Sequence, residues 1–194
     1  MSEISNGGSL NCGNPPINVG PHTFAAREAV HALNLWTQRQ ERTPSIGPRF
    51  TVQIVTSPQT AAVLVRDPVT GNAIGGIRLP QLAVPIETLT GVRPPAAVAG
   101  NPNCALFGAT DPWDGDSDSW VAQPGLDPSP TPEPSLAALY GTRHRYLEEY
   151  ENATEESIQR GFLLPSDRRE VINLSEVAVV PKGAAINAEI IPDP

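Results

Sequence analysis

Between Phe24 and Trp36 apolar residues recur at three- and four-residue spacings (Phe24, Ala26, Ala29, Val30, Leu33, Trp36), with Arg27, Glu28, Asn34, Gln38 and Arg39 polar. That period predicts an amphipathic helix with one apolar face. Gly20-Pro21 suits its start, since a proline at the first helical position lacks only an N–H that would be unpaired anyway. The helix is expected to run to about Gln40, where Thr43-Pro44 and Gly47-Pro48 close it. A face of that breadth is expected to pack on something large.

The period then changes to two. Phe50 to Thr56 alternates β-branched and polar residues as a half-buried strand does, and a second strand is expected from about Ala61. Residues 62–66 and 73–77 flank Asp67-Pro68-Val69-Thr70-Gly71-Asn72, whose proline and glycine suit the turn of an antiparallel hairpin. From Arg78 to Pro134 prolines interrupt every period, yet Leu79, Leu82, Val84, Ile86, Leu89, Leu106, Phe107, Trp113 and Trp120 supply apolar anchors. This stretch is therefore expected to be ordered coil draped over a neighbouring body. Asp127 to Pro134, with proline at every second position from Pro128, is a stiff extended connector.

Helical signals resume at Ser135, which suits the cap of a short turn through Tyr140-Gly141. Thr142 caps a longer predicted helix in which Leu147, Tyr150, Ala153 or Thr154, and Ile158 share one face. Gly161 ends it, and Phe162 is placed for the hydrophobic contact beyond such a cap. A last helix is expected around Val171, Ile172 and Leu174, and Val177-Ala178-Val179-Val180 has the residues of a strand. The expected organisation is helix, strands and hairpin over 12–91, an irregular segment over 92–134, and helices over 135–175, all within one domain.

Composition narrows the function. Thirteen Lys and Arg against 21 Asp and Glu give a net charge of −8, so the basic surface that attracts nucleic acid is missing. No run of about 18 apolar residues marks a membrane span. The first twenty residues lack the basic start and apolar centre of a secretory signal, which makes the chain soluble and cytoplasmic by default. On that basis Cys12 and Cys104 are expected as free buried thiols, a bridge between them being the alternative. Nothing in the chain has the spacing of a metal or cofactor motif.

Taken in order, Cys12-Gly13-Asn14-Pro15-Pro16-Ile17-Asn18-Val19-Gly20-Pro21, Ala29-Val30-His31-Ala32-Leu33-Asn34-Leu35-Trp36, Leu64-Val65-Arg66-Asp67 and Gly75-Gly76-Ile77-Arg78-Leu79-Pro80 form an ordered series. Val84-Pro85, Thr88-Leu89-Thr90-Gly91, Pro134-Ser135-Leu136, Tyr140-Gly141-Thr142, Tyr146-Leu147 and Gly161-Phe162-Leu163-Leu164-Pro165 continue it. The series resembles the carboxy-terminal segment of the alpha/beta hydrolase domain proteins, from about Cys12 to about Asn173. The resemblance implies a fragment of an α/β fold, with the helix from Pro21 following the catalytic-histidine loop and packing on the main sheet. It also implies that the sheet, serine and histidine of the whole enzyme lie before Met1.

Such hydrolases need a serine on a strained elbow, written GxSxG, which presents the hydroxyl beside oxyanion donors. Gly7-Gly8-Ser9-Leu10-Asn11 lacks the second glycine and a preceding apolar strand, so no catalytic residue is assigned. His22, His31 and His144 sit among polar neighbours with no nucleophile in sequence reach. Asp111 to Asp118 resembles a calcium loop, but with Asp114 first the twelfth position is Gly125 and the turn glycine is replaced by Ser119. Glu148, Glu149, Glu151, Glu155 and Glu156 read as a solvated face.

Arg78, Trp113 and Trp120 are the candidates for lining a substrate cleft, against the plainer reading that Arg78 pairs with a carboxylate and the tryptophans anchor coil to core. Two functions fit these features. One is the carboxy-terminal part of an esterase-like hydrolase, incomplete alone, that meets a small ester only when the missing part is supplied. The other is a non-catalytic protein that docks on a hydrolase body or partner through Phe24, Val30, Leu33 and Trp36.

Overall fold

The computed structural model describes residues 12, 17, 18, 20–39, 54–57, 60–91, 101–113 and 136–178. The chain divides into two compact units, each assembled from three sequence segments: Met1–Gly20, Val52–Ile74 and Glu87–Pro134 in the first, and Pro21–Thr51, Gly75–Ile86 and Ser135–Pro194 in the second. Both helices and antiparallel strands are present, a mixed α/β composition.

The first unit holds two antiparallel pairs. Strand β1 (Ile54–Ser57) runs against β2 (Thr60–Leu64), with Ile54 opposite Leu64 and an irregularity between Val55 and Ser57. The expected strand from Phe50 appears as Ile54–Ser57, residues 50–53 lying outside those described, and its ladder partner is β2. Across the expected hairpin turn at 67–72 the described residues show an antiparallel bridge, Arg66 to Ala73, in place of a ladder. The turn itself is well made: Asp67 Oδ1 accepts from the N–H groups of Val69 and Thr70, and Gly71, at φ 66°, donates to the Asp67 carbonyl.

The second pair, β3 (Glu87–Thr90) and β4 (Ala109–Pro112), lies within the stretch expected to be coil. Each strand is four residues long, too short to display a period between prolines. A 3-10 helix, Pro102–Phe107, precedes β4, and the Asn101 side chain caps it by accepting from Asn103 N–H. Gly108 turns the chain at φ 60°, where an added Cβ would lie 2.1 Å from the Thr90 carbonyl oxygen.

Cys104, in that 3-10 helix, forms a disulfide with Cys12, their Cα atoms 5.5 Å apart. The expectation of free thiols is therefore corrected: a separation of 92 residues gave no hint of proximity, which goes with the bonding of the Ile17 and Asn18 backbone to Thr110, Thr90 and Phe107. Nearby, Asn18 N–H donates to the Phe107 carbonyl and Asn18 Nδ2 to the Thr90 carbonyl, while Thr110 Oγ1 donates to the Ile17 carbonyl.

The second unit is helical. It contains α1 (His22–Arg39), α2 (Pro80–Ala83), α3 (Leu136–Tyr140), α4 (Arg143–Gln159) and α5 (Arg168–Ala178), with a 3-10 turn at Pro165–Asp167. Helix α1 matches its predicted limits to within a residue. Thr142 caps α4 by accepting from Arg145 N–H. Its far end is closed by Gly161 at φ 70°, with Phe162 N–H bonded to the Ser157 carbonyl and Gly161 N–H to the Ile158 carbonyl, and Phe162 itself is buried.

Helix α4 packs against α2, α3 and α5. The buried positions on it are Tyr146, Tyr150, Thr154 and Ser157, one step round from the expected stripe, so Leu147 and Ile158 are only partly covered. Tyr140 and Tyr146 meet edge to face at 5.2 Å, and Tyr146 lies 5.9 Å from Tyr150. The Tyr140 hydroxyl donates to the Pro85 carbonyl at 2.7 Å, and burial, reinforced by Glu149, holds its pKa well above the ordinary tyrosine range. Leu79, Leu163 and Val171 complete this core.

Two helical features were legible only in part. Val177 and Ala178, which have strand residues, close α5, because the helix already under way continues through them. The acidic face of α4 is solvated as expected, but it is also paired: Arg145 with Glu149, Arg160 with Glu156, and Arg168 of α5 with both Glu151 and Glu155.

Candidate functional site

Helix α1 carries the most distinctive surface of the second unit. Phe24 near its start is buried, and Arg27 stacks over the Phe24 ring at 5.3 Å. The same Arg27 guanidinium bridges Glu170 at 2.8 Å and Asp167 at 3.4 Å, tying the first turns of α1 to the start of α5. Both acids raise the pKa of Arg27, the hydrogen bond to Glu170 most. Beyond this anchor the apolar stripe is uncovered: Val30 is 66%, Leu33 54% and Trp36 43% exposed. Leu35 and Ala32, on the other side of the helix, are partly buried.

Of these uncovered side chains, Val30 and Leu33 line an open groove. Ala26 and, from the segment before the 3-10 turn, Leu164 line it too, together with His22, Arg27, His31 and Asn34. Partial burial pushes the Glu28 carboxyl upward, with His31 opposing and Asp167 adding to the rise. A mostly apolar surface with a few polar groups around it can hold an apolar helix or sheet face.

The first unit contains a buried polar network instead. Asn72 is fully buried; its Nδ2 donates to the Glu87 carbonyl and its Oδ1 accepts from Leu89 N–H. Arg66 donates from Nη1 to the Gly71 carbonyl and from Nη2 to Thr90 Oγ1. Thr88 Oγ1 donates to the Thr70 carbonyl and accepts from Trp113 Nε1 at 3.0 Å. Burial alone pushes the Glu87 carboxyl up to about 7. The network joins the 67–72 turn to β3, and nothing in the sequence flags Asn72 beyond its place after a turn glycine.

The three cleft candidates are placed as follows. Trp113 is buried, its indole N–H held by Thr88 in the first unit. Arg78, in the second unit, donates to the Leu82 carbonyl of α2 and is half-buried. Trp120 lies outside the described residues, as do Ser9 and most of the Asp111–Asp118 loop. His144 is exposed at the start of α4. The buried serines are spent on their own helices, Ser157 donating to the Ala153 carbonyl and Ser175 to the Ile172 carbonyl.

Among the described residues no three or more His, Cys, Asp or Glu side chains converge as a metal site would need, and no helix is long and apolar enough to cross a membrane. No curated protein and no solved structure matches the chain. The family profile described as Alpha/beta hydrolase domain, however, matches residues 2–173, nearly the whole sequence. That span takes in the arm at Cys12, the turn and network around Asn72, the α1 groove and the capped helices, and the chain belongs to the alpha/beta hydrolase domain family.

Proposed function

We propose that this chain is the carboxy-terminal part of an esterase-like α/β hydrolase, catalytically incomplete alone, which lays the α1 groove against the body that carries the nucleophile. The observation that carries this reading is the uncovered Val30, Leu33 and Trp36 stripe in a chain of this family. Leaving so much apolar side chain in water is unfavourable, at about 25 cal/mol for each Å². Its burial on a hydrolase body removes that cost. The absence of any GxSxG sequence and the use of Ser157 and Ser175 in helix bonds support incompleteness.

Within this reading a small ester meets the chain only when the rest of the enzyme is supplied. Arg78, Trp113 and Trp120 are then proposed as cleft-supporting residues. The engaged N–H groups, Arg78 on the Leu82 carbonyl and Trp113 on Thr88 Oγ1, favour holding neighbouring groups in place over touching substrate.

The test is an assay of the purified chain with short nitrophenyl esters. No turnover above buffer is expected, and turnover abolished by a serine-directed phosphonate would overturn the proposal. The same stripe also favours a second reading, a non-catalytic protein docking on a separate partner. A complementing hydrolase fragment that restores turnover on mixing separates the two.

A further inference from the structure

The groove beside α1 has two walls that come from distant parts of the sequence. Ala26, Val30 and Leu33 stand on α1, while Leu164 caps the 3-10 turn Pro165–Asp167. Arg27 lines the groove as well, and through it the walls meet: from α1 its guanidinium reaches Glu170 at 2.8 Å and Asp167 at 3.4 Å. Asp167 is tied in turn to the Leu164 wall, its N–H donating to the Leu164 carbonyl at 2.9 Å. One short turn thus supplies both an apolar lining residue and a carboxylate that holds α1.

Burial of Asp167 gives this contact its force. The residue is 8% exposed, and its Oδ2 is buried without a hydrogen bond. Among the described residues Arg27 is the cation paired with it. A buried carboxylate that loses its cation regains water at the expense of the packing around it, so removing Arg27 disturbs the Leu164 turn as well as α1. The guanidinium is fixed from other sides too, since the Nη1 that faces Asp167 donates to Glu170 and the guanidinium carbon lies 5.3 Å from the buried Phe24 ring.

We propose that Arg27 is the positioning residue of the groove: it sets the spacing between α1 and the Leu164 turn, so that the groove is formed before anything docks. The use of the groove rests on the function proposed above; its geometry does not. A surface assembled in advance binds without the cost of ordering α1 at the moment of contact. Arginine suits the task because one planar fork can serve two carboxylates and still stack on an aromatic ring.

The test is amide hydrogen exchange of the full chain, read by mass spectrometry on peptides from 22–39, 162–167 and 146–157. Arg27→Met is expected to speed exchange in the first two by about tenfold and to leave the third, from the α4 core, unchanged. Arg27→Glu should exchange faster still, and R27E/E170R, which returns a guanidinium to the acids, should recover most of the difference. The same proteins are mixed with a complementing hydrolase fragment. R27M is expected to need about tenfold more chain for half-maximal turnover and to reach the wild-type plateau. Failure of the wild-type chain to complement would overturn the docking reading, while the exchange data would still decide the role of Arg27. Unchanged exchange of either groove peptide in R27M, equal acceleration in 146–157, no recovery in the swapped pair, or complementation by R27M at wild-type concentrations would each overturn the proposal.

Discussion

The Asn72 side chain accepts the backbone N–H of Leu89 at 2.8 Å, while its Nδ2 donates to the Glu87 carbonyl at 2.9 Å. One buried amide thus pairs two backbone groups along β3, as a neighbouring strand would. Truncating Asn72→Ala leaves both groups without partners in a dry environment. A loss of about 2–4 kcal/mol is expected in urea denaturation. Asn72→Asp keeps the acceptor but turns a buried charge toward the Glu87 carbonyl, and should be no more stable than the alanine variant.

Gly108 and Gly141 both have positive φ, 60° and 74°, but their surroundings differ. A Cβ at Gly108 would fall 2.1 Å from the Thr90 carbonyl oxygen, whereas one at Gly141 meets nothing within 4 Å. Gly141→Ala should therefore cost only the conformational strain, about 1–2 kcal/mol. Gly108→Ala also forces β3 and the 3-10 helix apart. It is expected to lower the denaturation midpoint far more, or to yield insoluble protein.

Burial raises the Glu87 carboxyl from its ordinary value of 4.5 to about 7. The unfolded chain releases this proton near 4.5 and the folded chain near 7. Between those values the unfolded state binds fewer protons, so this group's contribution to stability falls as pH rises, and it levels off above about 7. The total is at most about 3 kcal/mol, reduced because the residue keeps some solvent contact. Glu87→Gln should remove this slope, measured as the difference between wild-type and variant urea midpoints from pH 4 to 8.

Val30 and Leu33 are exposed at 66% and 54%, so they contribute little to the stability of the chain by itself. Val30→Ser with Leu33→Ser is expected to change unfolding stability by less than about 0.5 kcal/mol. The same pair should reduce binding of an apolar dye to the groove, and should weaken complementation by a hydrolase fragment. A large loss of stability would show that the face is already covered.

Several elements can be read from local chemistry because their causes lie within a few residues. The proline that opens α1, the Thr142 cap, the Gly161 and Phe162 closure of α4 and the Asp67 turn are each fixed by side chains next to the backbone they satisfy. β3 and β4 were not legible, since four-residue strands between prolines carry no period and residues 91–108 separate the two paired strands. The candidate site divides the same way. The apolar residues of α1 can be listed from spacing, but that Phe24 is covered while Val30, Leu33 and Trp36 are open depends on where Arg27 finds Asp167 and Glu170.

By itself, then, the sequence determined the three longest helices, the Thr142 and Gly161 caps, the acidic balance and the ordered motifs of the alpha/beta hydrolase family. Those follow from periods and short-range hydrogen bonds written along the chain. Only the tertiary structure decided that Cys12 meets Cys104, that Asn72 serves β3, and that α4 turns Tyr146 inward. Each of these depends on contacts between residues distant along the chain, and burial, which sets both bonding and pKa, exists only once the chain has closed on itself.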